Sequence, residues 1–148
     1  MKNFSRLAIT FCCTLPLAQA QGLSLTIGNS VAGQTPMMKM AQFVFRLNGC
    51  ADMTKAQVTA TAEGIAGGTR RTTQLHPVPA PTQAGVYFIP DQAGAEGKWV
   101  VAITAACQSE TTGAIVPLNG RSFTREGVQL ISHAPTQTEI ETALKAVP

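Results

Sequence analysis

Three methionines within four residues are the side chains of this sequence best suited to bind a metal ion. Met37, Met38 and Met40 offer thioether sulfur, a soft donor that suits Cu(I). If one strand runs on to Leu47, Met38 and Met40 lie on one of its faces, and Met53 or a histidine completes the ligand set. No histidine or second methionine cluster stands at ligand spacing, so the preferred interpretation is that the methionines fill gaps by packing. A Cu(I) site is the alternative hypothesis.

Two cysteines of the predicted mature chain are expected to form a disulfide. Cys50 and Cys107 remain once Cys12 and Cys13, which lie in the apolar N-terminal segment, are set aside. An even pair in an oxidising compartment favours a disulfide bond. The alternative is a pair of thiols for metal or redox chemistry, but the mature sequence contains no C-x-x-C motif.

Motifs of common catalytic machinery are missing from the sequence. It has two histidines, His76 and His133, and neither lies in a G-x-S-x-G, H-E-x-x-H, Walker A or dinucleotide-binding pattern. The eight acidic residues are scattered, and the basic pair Arg70-Arg71 is expected to be solvated surface. We therefore expect a protein without enzymatic activity.

The N-terminus has the three zones of a secretory signal peptide. Lys2 and Arg6 precede an apolar run over residues 7–18, which is too short to span a bilayer, and an A-x-A site ends at Ala20. The pattern predicts a signal peptide over residues 1–20 and a mature chain that begins at Gln21. No later stretch is apolar enough for a membrane span, so we expect a periplasmic or secreted protein.

Composition narrows the class of the mature chain. The formal net charge of the sequence is +3, but from Gln21 onward four lysines and five arginines face eight acids, which leaves about +1. This charge argues against a nucleic-acid-binding protein. A hydrophobic content of 45% with 13% charged residues argues against disorder. Residues 21–148 are expected to form one domain.

Alternation of apolar and polar residues indicates β-strands along most of the mature chain. Turn signals such as Asn48-Gly49 and Gly67-Gly68 separate the alternating segments. The pattern predicts an all-β fold, an antiparallel β-sandwich of about seven strands. The apolar members of the clearest alternating segments are Leu23, Leu25 and Ile27; Phe43, Phe45 and Leu47; Val58, Ala60 and Ala62; and Trp99, Val101, Ile103 and Ala105.

Two segments depart from this alternation. The prolines within residues 76–81 lack the N–H that a central strand needs, so we expect an edge strand or a crossover there. Thr136 and Glu139 form a capping-box pattern that is followed by apolar residues at helical spacing. This pattern predicts a short C-terminal helix at about 137–146 that docks on the sandwich.

The positions of the cysteines predict where the disulfide lies. Cys107 has the same parity as Trp99 and should face the core, whereas Cys50 has the opposite parity to Phe45. Either a β-bulge at Asn48-Gly49 turns the Cys50 side chain toward the core, or Cys50 lies just past the end of its strand. In both cases we expect the disulfide to clamp one end of the sandwich.

Two short segments resemble known extracytoplasmic domains. Gly85-Val86-Tyr87 and the later Gly97-Lys98-Trp99 give a G-x-Y strand and a G-x-W strand, as in small immunoglobulin-like domains of the YtkA/FixH-like and CopC-like kind. The whole mature chain resembles small uncharacterised bacterial secreted immunoglobulin-like β-sandwich proteins. The resemblance implies an immunoglobulin-like β-sandwich without an assigned activity. CopC-like domains bind copper through an N-terminal histidine and methionines, and no histidine follows Gln21 closely here.

These observations predict a non-catalytic, extracytoplasmic binding or accessory module. Its expected role is to recognise another protein, whose identity the sequence does not give, or to support an envelope assembly. The alternative is a periplasmic copper-binding protein that uses Met37, Met38 and Met40.

Overall fold

Two antiparallel β-sheets lie face to face and enclose the core. The structure is a computed structural model that describes residues 22–29, 36, 40–91, 96–120 and 122–148. The predicted signal peptide, residues 1–20, lies outside the described residues. The strands alternate in the way the sequence pattern predicts, because apolar side chains on one face of each strand need a second sheet to cover them.

Ten strands occur in the described residues, and seven of them have five residues or more, as predicted. The first sheet has the order β1-β2-β6-β5, and the second has the order β10-β8-β7-β3-β4 with β9 paired to β8. The strands are β1 (Ser24–Gly28), β2 (Ala41–Asn48), β3 (Gln57–Ala66), β4 (Thr69–Leu75), β5 (Val78–Pro79), β6 (Val86–Pro90), β7 (Lys98–Cys107), β8 (Glu110–Asn119), β9 (Ser122–Phe123) and β10 (Gln129–Ile131).

The strand order is that of an immunoglobulin-like sandwich. Across the first sheet, β1, β2, β6 and β5 take the places of strands A, B, E and D of an immunoglobulin domain. Across the second sheet, β8, β7 and β3 take the places of strands G, F and C. The proline-rich segment forms β5 at the edge of the first sheet, which confirms the expectation of an edge strand.

Large apolar side chains from both sheets fill the space between them. Phe43 and Phe45 of β2 are buried, as are Ile103 of β7 and Leu118 of β8. The Phe43 ring meets Phe123 edge to face, with ring centroids 5.6 Å apart. This central core spans the middle strands of both sheets and holds them together.

Strand β7 is buried on both of its faces. Trp99, Val101 and Ile103 point into the core between the sheets, whereas Val100 and Ala102 pack under the C-terminal helix. This double burial explains why the strand reads as a nearly continuous apolar run.

The C-terminal helix (Gln137–Ala146) lies on the outer face of the second sheet. The Thr136 hydroxyl accepts the backbone N–H of Glu139, and the Glu139 carboxylate accepts the backbone N–H of Thr136, which confirms the predicted capping box. Ile140 and Leu144 are buried against β7 and β8. The chain reaches the helix by crossing β8 at Gly113, where an added Cβ would lie 2.7 Å from Pro135 Cδ.

The predicted disulfide joins the two sheets at one end. Cys107 is the last residue of β7, and Cys50 lies just after β2, with 5.8 Å between the two Cα atoms. The second explanation of the cysteine parity is therefore right, since β2 ends at Asn48. The turn signal at Asn48-Gly49 does not form a hairpin, because the chain crosses there to the second sheet and pairs as β3.

Substitution of Gly64 should test the packing of the indole ring. A Cβ at Gly64 would overlap the Trp99 ring, which crosses β3 at that point. We expect Gly64→Ala to lower the free energy of unfolding by roughly 1–3 kcal/mol, as overpacking does. Urea unfolding followed by the fluorescence of Trp99, the single tryptophan, measures this change. Gly28→Ala is the matched control, because nothing lies within 4 Å of an added Cβ there. Equal stability of the two variants would contradict the described packing.

Removal of the disulfide should lower stability substantially. The bond closes a loop with a sequence separation of 57 residues. We expect the double variant Cys50→Ser, Cys107→Ser to lose roughly 2–5 kcal/mol of unfolding free energy, which chemical denaturation measures. Thiol titration of the denatured, unreduced mature protein should find no free thiol. Two free thiols would contradict the bond.

Candidate functional site

The structure does not bring the methionines together into a described metal site. Met40 is 74% exposed at the turn before β2, whereas Met53 packs against the central core. Met37 and Met38 lie outside the described residues. Over the ranges that the structure describes, no three His, Cys, Asp or Glu side chains are grouped as metal ligands. The hypothesis of a thioether copper site stays a prediction.

The two histidines lie in separate exposed loops. His76 follows β4, and His133 lies between β10 and the C-terminal helix. Nε2 of His133 is 3.6 Å from a carboxylate oxygen of Glu139, the residue of the capping box. This contact places His133 beside the start of the helix.

A carboxylate–guanidinium network connects the second sheet to the C-terminal helix. Arg70 Nη2 lies 2.6 Å from Glu63 Oε2, and Arg70 Nη1 lies 2.9 Å from Glu141 Oε1. Gln137 Nε2 donates more weakly to both carboxylates, at 3.4 Å. Arg70 is exposed, as expected, and its side chain retains 42% of its solvent accessibility. Its guanidinium joins β3, β4 and the helix.

The sequence gives no signal of this network, because Glu141 lies 71 residues after Arg70 along the chain. Glu63 lies on the face of β3 opposite that of Ala62. In the sequence, the polar residues of that face indicate solvent exposure, but in the structure the C-terminal helix covers Glu63. The Glu63 side chain is only 8% exposed, so its charge needs the nearby guanidinium. Hydrogen bonds from Arg70 and Gln137 lower the pKa of Glu141, while the hydrogen bonds that Arg70 donates to Glu63 and Glu141 raise the pKa of Arg70.

A groove follows strand β1 along one side of the sandwich. Its opposite wall is the segment 125–132, which includes β10. Two depressions of about 350 and 200 Å³ share the side chains of Leu25 and Leu130. A third of about 270 Å³ adjoins them at Ile27 and extends to Asn29 and across β2 and β6. Leu130, on β10, is 57% exposed. The groove is the candidate functional site of this chain.

Another depression lies on the outer face, where the C-terminal helix ends. It measures about 530 Å³, and its walls include Pro117, Val128, Ala143 and Val147. Its walls also include the polar side chains of Thr124, Glu126 and Gln129. We place the candidate site at the groove along β1, because that groove lies between two edge strands.

Comparison with protein-family models, curated proteins and solved structures gives no match. In the part of the chain that the structure describes, no helix has the length and apolarity that a membrane crossing requires.

The stability contributed by Glu141 should decrease in acid. Because its pKa is lower in the folded than in the unfolded chain, the contribution is complete above the unfolded value, about 4.3, and is lost as the pH falls through the folded value. We expect the unfolding free energy of Glu141→Gln to fall less steeply between about pH 5 and 3 than that of the unsubstituted protein. Chemical denaturation at a series of pH values measures this slope.

Glu126→Gln provides the control for that comparison. Glu126 is an exposed glutamate in the turn Arg125–Gly127, and within the described ranges it has no ion pair. Its substitution should leave the slope unchanged. A slope for Glu141→Gln equal to that of the control would show that the contact with Arg70 contributes nothing to the pH dependence.

Proposed function

We propose that this chain is a non-catalytic, extracytoplasmic binding module that recognises another protein. The observation that carries the proposal is the groove along β1, which leaves the apolar side chain of Leu130 exposed beside two edge strands. Exposed apolar side chains in a groove lose contact with water when a partner covers them, which favours association.

Two features of the chain support the extracytoplasmic localisation that we propose. Residues 1–20 have the zones of a signal peptide, and the A-x-A site precedes Gln21. The disulfide between Cys50 and Cys107 is of the kind that persists in oxidising compartments outside the cytoplasm. Both features support a periplasmic or secreted protein.

The contribution of the groove to partner recognition can be tested by site-specific crosslinking. A photoreactive amino acid replaces Leu130 in the full chain, which is expressed in cells of the species that carries the gene. We expect a crosslinked adduct of one defined mass at position 130, because a partner seated in the groove contacts that side chain. Mass spectrometry of the purified adduct identifies the partner.

Ile65 provides a matched control position. It is also a large apolar residue with high exposure, 40%, but it lies at the end of β3, in the strand pair farthest from β10 in the same sheet. The same photoreactive residue at position 65 should give no such adduct. Equal adducts at both positions, or none at position 130, would contradict the proposal. So would turnover of a substrate that depends on one polar side chain of the purified protein.

A further inference from the structure

The edge strands of the two sheets differ in how they are protected against strand pairing. β4 carries Arg70 and Arg71, and β5 contains Pro79 and is flanked by Pro77 and Pro81. Charges and prolines on edge strands discourage the addition of another strand. β1 and β10, by contrast, contain no charged residue and no proline.

The unprotected strands are also the walls of the groove. Among the described strands, β1 pairs only with β2, and β10 pairs only with β8. Each therefore keeps one row of backbone N–H and C=O groups that no described strand occupies. An extended segment that entered the groove would find apolar side chains and free backbone groups together, the combination that strand addition uses.

The length of the groove limits the size of its occupant. The depressions extend along the chain from Leu23 to Asn29, which is seven residues of one wall. A strand rises about 3.3 Å per residue, so the groove fits an extended segment of about five to seven residues. Ile27, Val128 and Leu130 line the groove and are available to alternate side chains of that segment, whereas Leu25 is itself buried in the central core.

Charge distinguishes the two ends of the groove. Arg46 and Arg125 line the depression at the Gly28 end, and within the described ranges neither guanidinium has a carboxylate partner. At the other end, the carboxylate of Glu110 accepts the backbone N–H of Leu23 at 3.0 Å. An occupant with an acidic residue beside the two arginines complements this charge arrangement.

We propose that the groove between β1 and β10 binds an extended peptide segment of another protein by strand addition to β1. The segment runs antiparallel to β1, presents apolar side chains at alternate positions and places an acidic residue at its N-terminal end, beside Arg46 and Arg125. This inference rests on the proposed function and specifies how the partner binds.

A defined peptide pair tests the binding mode. The probe is acetyl-Asp-Val-Thr-Val-Thr-Val-amide, and the charge control has Lys in place of Asp. Binding is followed by NMR titration of the isotope-labelled mature protein, in which strand addition should shift the backbone amide signals of β1 selectively. We expect the Asp probe to bind more tightly than the Lys control, and Arg125→Glu to remove most of that preference, because the added carboxylate offsets the charge of Arg46. A third peptide, N-methylated at alternate residues, keeps the side chains but cannot form the ladder, so it should not bind.

A substitution in the groove tests the apolar contacts. We expect Leu130→Glu to weaken the binding of the Asp probe by roughly tenfold or more, because it places a charge where an apolar side chain should dock. Ile65→Glu, an equivalent change at an exposed position outside the groove, should leave the affinity unchanged. Leu130 is already more than half exposed, so its variant should fold, and circular dichroism checks that it does.

The outcomes of these experiments distinguish failure of the binding mode from failure of the proposed function. No binding of the Asp probe at millimolar concentration, or equal binding of the N-methylated peptide, overturns strand addition. If crosslinking at position 130 still identifies a partner, the proposed function stands and only the binding mode is wrong. Sedimentation shows whether two copies of this chain pair instead. A dimer that Leu130→Glu dissociates would assign the groove to self-association and overturn the proposal of a separate partner.

Discussion

The burial of β7 on both faces is the constraint on which the rest of the structure depends. One face of this strand needs the first sheet to cover Trp99 and Ile103, and the other needs the C-terminal helix to cover Val100 and Ala102. A strand of this kind is stable only as the middle of three layers. The helix is therefore part of the fold, and the crossing at Gly113 that delivers it is required by the same constraint.

Much of this architecture was predictable because the determining signals are local. Alternation of apolar and polar residues predicts the long strands, and the capping box predicts the helix over Gln137–Ala146. The positions of Cys50 and Cys107 relative to the core-facing residues of their strands predict that the disulfide lies at one end of the sandwich. These signals depend on neighbours within a few residues, which a single sequence contains. The prolines near Pro79 identified an edge strand for the same reason, since a missing N–H is a property of the residue itself.

The remaining features could not be predicted because they depend on pairs that are distant in sequence. The contact between Arg70 and Glu141 requires the helix to lie across β3 and β4, and nothing near Arg70 indicates that. The groove likewise exists only because the sheet order leaves β1 and β10 on the same side of the sandwich. Leu130 reads as an ordinary apolar strand residue, and only its solvent exposure marks it as part of a site.

The disulfide also divides the chain into a covalent ring and two open arms. The ring, from Cys50 to Cys107, contains β3 through β7, and the arms contain β1 and β10. Local opening of β1 or β10 alone breaks the hydrogen bonds to one neighbouring strand, whereas opening of β7 disturbs the central core. Amide hydrogens of both groove walls should therefore exchange with solvent faster than those of β7.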